Sequence, residues 1–201
     1  MTWGSGVEGS SMDRVFLLSP AHTGGLRAGL LMRPGADFEL ARKVRAGTAS
    51  LGEIFTFCSG LYFRGKMAYA TRFGQPLVIT AGRGLLPAET RISLNELREF
   101  AAVPVESDEP RFTAPLRASV QVLARRRCEV VLLGSIATGK YVDTLLPLLG
   151  ERLLFPADFV GRGDMSRGGL MLRCAADGGE LAYIPVSGAV RKGTRPAKLP
   201  P

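Results

Sequence analysis

At 201 residues, with 46% apolar and 7% aromatic residues, the chain can bury one sizeable core. No apolar run approaches the roughly 20 residues of a membrane helix, so no membrane partner is expected. The formal charge of +8, from 26 basic and 18 acidic residues, suits a polyanionic partner as readily as it serves solubility.

The opening residues, MTWGSGVEGSS, lack the basic start and apolar middle of a secretory signal. Residues 1–12 are expected as a disordered tail, and the cytoplasm as the compartment. RVFLLSPA, residues 14–21, reads as a buried strand stopped by Ser-Pro, and HTGG continues it as a turn. DFELARKVRAG reads as a short helix closed by Gly47. Ser50 and Glu53 have capping-box spacing. Leu51, Ile54, Phe55, Cys58, Leu61 and Tyr62 then recur at helical intervals, interrupted by Gly60 and Gly65.

PLVITAGRGL is a second strand running into a Gly-rich turn. SLNELREFAA is a helix with a second capping box, Ser93 with Glu96. An acidic, Pro-containing connection leads to the helix APLRASVQVLARRR and then to a third strand, CEVVLLGS. KYVDTLLPLLG is helical as far as Pro147, and RLLFPA is the fourth strand. FVGRGDMSRGG is a glycine-rich loop, and GGLMLRCAADGGELAYIPVS reads as a hairpin turning at Asp177 to Gly179. The final RKGTRPAKLPP carries four basic residues and no acid, half of the charge surplus, and is expected as a tail.

Strands alternating with helices, three of them continuous apolar runs, predict an α/β fold. The expectation is one domain over residues 13–190. Its sheet would be mostly parallel and four-stranded, with helices on both faces and a C-terminal hairpin.

In such sheets ligands bind beyond the carboxyl ends of the strands. Four ends are legible: SPAHTGG, TAGRGLLP, GSIATGKY and PADFVGRGDMSRGG. The first offers Ser19 and His22, the latter able to exchange protons near neutrality. The second offers Arg83, a forked donor for carboxylate or phosphate. The third, from Gly134 to Lys140 and including Ser135, fits the start of a phosphate-binding loop. Tyr141 stands where a magnesium-holding Ser or Thr would follow, so a phosphate contact is expected there without NTP hydrolysis. The fourth offers Arg162, Ser166 and Arg167 as an anion clamp, with Asp164 to pair with an arginine or to orient a water. Tyr62, Phe63, Arg64 and Lys66 add an aromatic-basic neighbourhood suited to a base and its phosphate; Tyr62 also lies on an apolar helix face, and Arg64 and Lys66 are expected to point away from it. Three scattered cysteines and one histidine have no metal-ligand spacing, so neither metal nor cofactor is expected.

LYFRGKMAYA, LVITAGRGLLP and VVLLGSIATGKYVDTLLPLL, in that order, resemble a group of uncharacterised bacterial α/β proteins across residues 57–149. VVLLGSIA also resembles the middle strand of the uracil-DNA glycosylase superfamily, whose catalytic loops follow the first and last strands of a four-stranded parallel sheet. That likeness implies a ligand at the same sheet edge. It carries over no catalytic residue: SPAHTGG has no Asp or Asn, and FVGRGDMSRGG has no His-Pro-Ser motif.

The sequence thus points to an enzyme acting on a nucleotide, nucleobase or nucleic acid, with N-glycosidic hydrolysis as the specific reaction. Asp164 would orient the nucleophile. Arg162, Arg167 and Lys140 would hold phosphate, and Ser19 or His22 would touch base or sugar. A non-catalytic nucleic-acid-binding module and a phosphate- or nucleotide-binding protein are the alternatives.

Overall fold

The computed structural model describes residues 13–191, 193 and 194. The expected tail over residues 1–12 and most of the C-terminal tail lie outside them. The chain forms one sheet with strand order β3-β2-β1-β4-β5-β6. The strands are β1 (Asp13–Leu18), β2 (Gln75–Thr80), β3 (Gly84–Pro87), β4 (Cys128–Leu133), β5 (Leu153–Pro156) and β6 (Tyr183–Pro185). The central four, β2-β1-β4-β5, are parallel; β3 and β6 run antiparallel at the two edges.

The α/β class is therefore as expected, but the sheet is six-stranded and mixed, not four-stranded. The first extra strand arises because TAGRGLLP is more than a turn. Gly82 and Gly84 adopt positive φ, and Thr80 Oγ1 donates to the Gly84 carbonyl at 2.9 Å, folding the chain back on β2. At the other edge the expected hairpin is absent. DMSRGGLMLRCAAD forms a helix, α8 (Asp164–Asp177), capped by left-handed Gly178, and only β6 pairs with β5.

Between β1 and β2 lie α1 (Leu26–Met32), α2 (Glu39–Arg45), α3 (Leu51–Ser59) and α4 (Leu61–Phe73). Between β3 and β4 lie α5 (Leu94–Ala102) and α6 (Pro110–Ala124), and α7 (Gly139–Leu149) joins β4 to β5. Both capping boxes form: Ser50 and Ser93 each accept from the backbone N–H of the glutamate three residues on, which bonds back. Gly60, at φ 58°, splits the long periodic segment into α3 and α4. Pro147 does not end its helix; α7 continues to Leu149. A proline in the last turn removes only its own N–H; the amides after it still donate back, as the Gly150 N–H does to the Leu146 carbonyl.

The residues Val15 to Leu18 are wholly buried in succession, so both faces of β1 are covered. The crossovers from β1 to β2 and from β4 to β5 run in opposite directions along the sheet. Right-handed connections therefore place α4 and α7 on opposite faces. α8 packs on α4, and α6 packs on α7. Among the described residues no helix is long and apolar enough to cross a membrane.

Candidate active site

The chain leaves β1 toward one edge of the sheet and leaves β4 toward the other. The crevice between their carboxyl ends is thus the topological switch point, where α/β sheets open to ligands. Ser19 follows β1 there, and its backbone N–H donates to the Leu133 carbonyl at 3.2 Å. Gly134 follows β4. A Cβ on it would stand 3.0 Å from the Ser19 Cβ, so glycine lets the two strand ends close up.

Lys66 reaches this crevice from α4 and is only 1% exposed. Its Nζ donates to the Ser19 Oγ at 2.7 Å and to the Ser19 carbonyl at 2.9 Å. The Tyr62 ring, one helical turn earlier, lies 4.0 Å from the same Nζ. No carboxylate is hydrogen-bonded to Lys66 among the described residues. Burial lowers its pKa to about 7; Asp164 pulls it upward and Arg167 pushes it further down.

Tyr62 is 8% exposed, and its hydroxyl has no hydrogen-bond partner among the described residues. A buried hydroxyl without a protein partner costs free energy. The Ser19 hydroxyl and Arg167 lie close enough to favour the Tyr62 phenolate, but burial outweighs them and raises its pKa. Tyr141 of α7 is buried beside Ser19 and Tyr62, and its pKa is likewise raised by burial. The charge of Asp164 is felt at Lys66, Tyr62 and Tyr141, which places this exposed carboxylate over the cluster, in the first turn of α8.

The anion clamp expected from the fourth edge is differently employed. Arg167 is buried; its Nε and Nη2 donate to the Phe159 carbonyl at 3.2 and 2.9 Å, and its Nη1 to the Gly134 carbonyl at 3.3 Å. It ties the end of β4 to the loop after β5. Arg162 donates from Nε to the Asp158 carbonyl at 2.8 Å and from Nη1 to Ser166 Oγ at 3.4 Å. The glycine-rich motif is a helix entry, with Gly161 at φ 73° and Gly163 as the cap of α8.

Next to Ser19 a cavity of about 480 Å³ opens, lined by Pro20, His22, Thr23, Phe100, Lys140 and Tyr141 among others. It brings the first and third edges together. His22 is exposed at its rim. Lys140 is paired with Glu106 at 3.2 Å. Ser135 Oγ accepts from the Ala137 N–H at 3.2 Å and so pins the turn before α7. At the start of α7, Gly139 lies against the exposed Asp143 side chain one turn on, and Thr138 makes no side-chain cap bond. Arg83 is engaged by Glu96 and Glu99 of α5, and Arg64 is exposed on α4. A larger groove of about 1020 Å³, bounded by Phe38, Phe57, Met67 and Pro76, is mostly apolar, and its Lys43 is paired with Glu39 and Glu53.

Ser19, Tyr62 and Asp164 thus meet at one place. His22 and Lys140 border it, and Arg167 braces it. The sequence places Lys66 with Arg64 beside Tyr62 and expects both to point away from the apolar face; that holds for Arg64, but Lys66 is buried. Its signal was a lysine at helical spacing from Tyr62, Tyr69 and Ala70, a buried stripe where a solvated charge has no place. Among the described residues no group of three or more His, Cys, Asp or Glu could hold a metal, and Cys58, Cys128 and Cys174 are free thiols. Comparison with protein-family models, with curated proteins and with solved structures gives no match for the chain.

Proposed function

We propose that this protein is an enzyme acting on a nucleotide or a nucleic-acid base, and that its reaction is hydrolysis of an N-glycosidic bond. The observation that carries the reading is the meeting of Ser19, Lys66, Tyr62 and Tyr141 under the Asp164 carboxylate at the switch point. A buried amine without a bonded carboxylate and a buried hydroxyl without a partner are costs that a purely structural core avoids.

N-glycosidic hydrolysis needs a held water, contacts to the departing base and an aromatic wall. Asp164 is exposed beside the cluster, where its carboxylate oxygens can accept from and so orient the water. Ser19 and the tyrosine hydroxyls supply contacts to base or sugar. Tyr141 and Phe100 supply ring faces in the adjoining cavity, and Lys140 and His22 border it for a phosphate. The basic surplus favours approach of a polyanion.

The test is release of free base from nucleosides, nucleotides and base-modified single- and double-stranded DNA and RNA. It is paired with binding across a salt series, with and without residues 191–201. Base release that disappears in Asp164→Asn, with salt-sensitive binding that survives tail removal, supports the reading. Salt-sensitive binding without release, indifferent to Asp164→Asn, would make the protein a nucleic-acid-binding module instead.

A further inference from the structure

We propose that Ser19 and Lys66 form a proton relay that protonates the departing base, with Lys66 as a positioning residue acting through Ser19. The proposal rests on the hydrolytic reading above and adds the missing acid to it.

Both hydrogen bonds of Lys66 end on Ser19, one on its carbonyl and one on its hydroxyl. The carbonyl bond fixes the amine. The hydroxyl bond connects it to the one Ser19 atom that can hand a proton onward. The third direction of the amine is closed by the Tyr62 ring at 4.0 Å. Lys66 itself is 1% exposed, whereas Ser19, 6% exposed, ends the strand directly before Pro20, which lines the cavity. Proton delivery must therefore pass through the serine. A methionine would fill the same space without burying an amine, so packing alone gives no reason for lysine here.

The step balances as follows. As the glycosidic C–N bond breaks, its electron pair leaves with the base. The base takes the Ser19 hydroxyl proton, and Ser19 Oγ takes one from the Lys66 ammonium. The water held by Asp164 adds its oxygen to the sugar carbon and gives its proton to the carboxylate, which returns it to solvent. Lys66 recovers a proton from solvent to complete the cycle.

The groups facing Lys66 set when the relay is charged. Desolvation and Arg167 of α8 favour the neutral amine; Asp164 of α8 favours the ammonium; Tyr62 of α4 and Tyr141 of α7 are neutral at physiological pH. With a pKa of about 7, the amine gives up its proton readily near neutrality.

The experiment compares two leaving groups. A purine or pyrimidine nucleoside needs its base protonated, whereas a 4-nitrophenyl glycoside of the same sugar leaves as a stable anion. Lys66→Met and Ser19→Ala are expected to lose about 100-fold in kcat on the nucleoside and far less on the nitrophenyl glycoside, a range typical of general acids. The alkaline limb of the wild-type profile, near pH 7, should vanish in Lys66→Met. Equal losses on both substrates, or none on either, would overturn the relay while leaving the hydrolytic reading standing. A wild-type protein that releases base from no nucleoside, nucleotide or nucleic acid overturns both. A second readout needs no substrate: the Lys66 ε-carbon resonance should titrate between pH 6 and 8, and a side chain that stays charged to pH 9 sinks the relay by itself.

Discussion

Gly65 of α4 and Gly168 of α8 touch backbone to backbone: a Cβ on Gly65 would lie 2.6 Å from the Gly168 carbonyl oxygen, and one on Gly168 would lie 2.9 Å from the Tyr62 Cα. This close crossing holds α8, with Asp164 and Arg167, against the turn that carries Tyr62 and Lys66. Gly65→Ala and Gly168→Ala are each expected to destabilise the fold by about 1–3 kcal/mol, since backbone, not a flexible side chain, must yield. Urea unfolding measures the loss. Because the crossing also aligns the site, both variants should lose ligand affinity or activity beyond what their residual folded fraction explains.

Lys66 makes stability depend on pH. Its folded pKa of about 7 lies below the ordinary 10.5, so between those values the unfolded chain binds more protons than the folded one. Stability therefore rises with pH across that window, and the penalty for charging the buried amine is complete below about pH 7. Lys66→Met should flatten this slope. At pH 6 it should be more stable than wild type by about 1–4 kcal/mol, the usual gain when a poorly compensated buried charge becomes apolar. Unfolding midpoints of both proteins from pH 6 to 10 test this; a parallel pair of curves refutes it.

Removal of the orphaned hydroxyl gives a different signature. In the free protein Tyr62→Phe deletes a buried group with no partner, so stability should stay level or rise by up to about 1 kcal/mol. If the hydroxyl serves a ligand, affinity for that ligand should fall about tenfold, the worth of one neutral hydrogen bond. Thermal melts with calorimetric titration separate the two effects, and a marked loss of stability in the free variant would show that the hydroxyl is bonded after all.

Arg167 is expected to behave as a brace. Arg167→Met frees the Phe159 and Gly134 carbonyls in a buried setting, at a cost of about 2–4 kcal/mol for two unsatisfied acceptors. Arg167→Lys should recover little, because an ammonium cannot span both carbonyls as the planar fork does. Chemical denaturation reads the stability, and the loop after β5 should show the greatest gain in amide hydrogen exchange.

The parts legible in the sequence were those governed by local rules. β1 and β4 announced themselves as unbroken apolar runs, and the Ser50 and Ser93 helix starts as capping boxes. The parts that were not legible depend on contacts between distant segments. β3 is only four residues long and exists because β2 offers it a partner. α8 begins among glycines that read as a loop, yet Gly168 is there to pack on α4, and Asp164 favours a helix start by its charge. At the site, Ser19 and Asp164 could be named from their strand ends. Lys66 lay on the apolar stripe of α4, but its pairing with Ser19 joins segments 47 residues apart and is not a local signal. Arg167 was visible as a charge, but its engagement by two carbonyls required the loop geometry.

The two edges of the sheet bear on how copies of this protein can meet. β3 ends at Pro87 after four residues and β6 at Pro185 after three. Each border strand is too short, and too early interrupted by a residue without an amide donor, to template another chain. Growth of the sheet from one molecule into the next is therefore disfavoured at both margins.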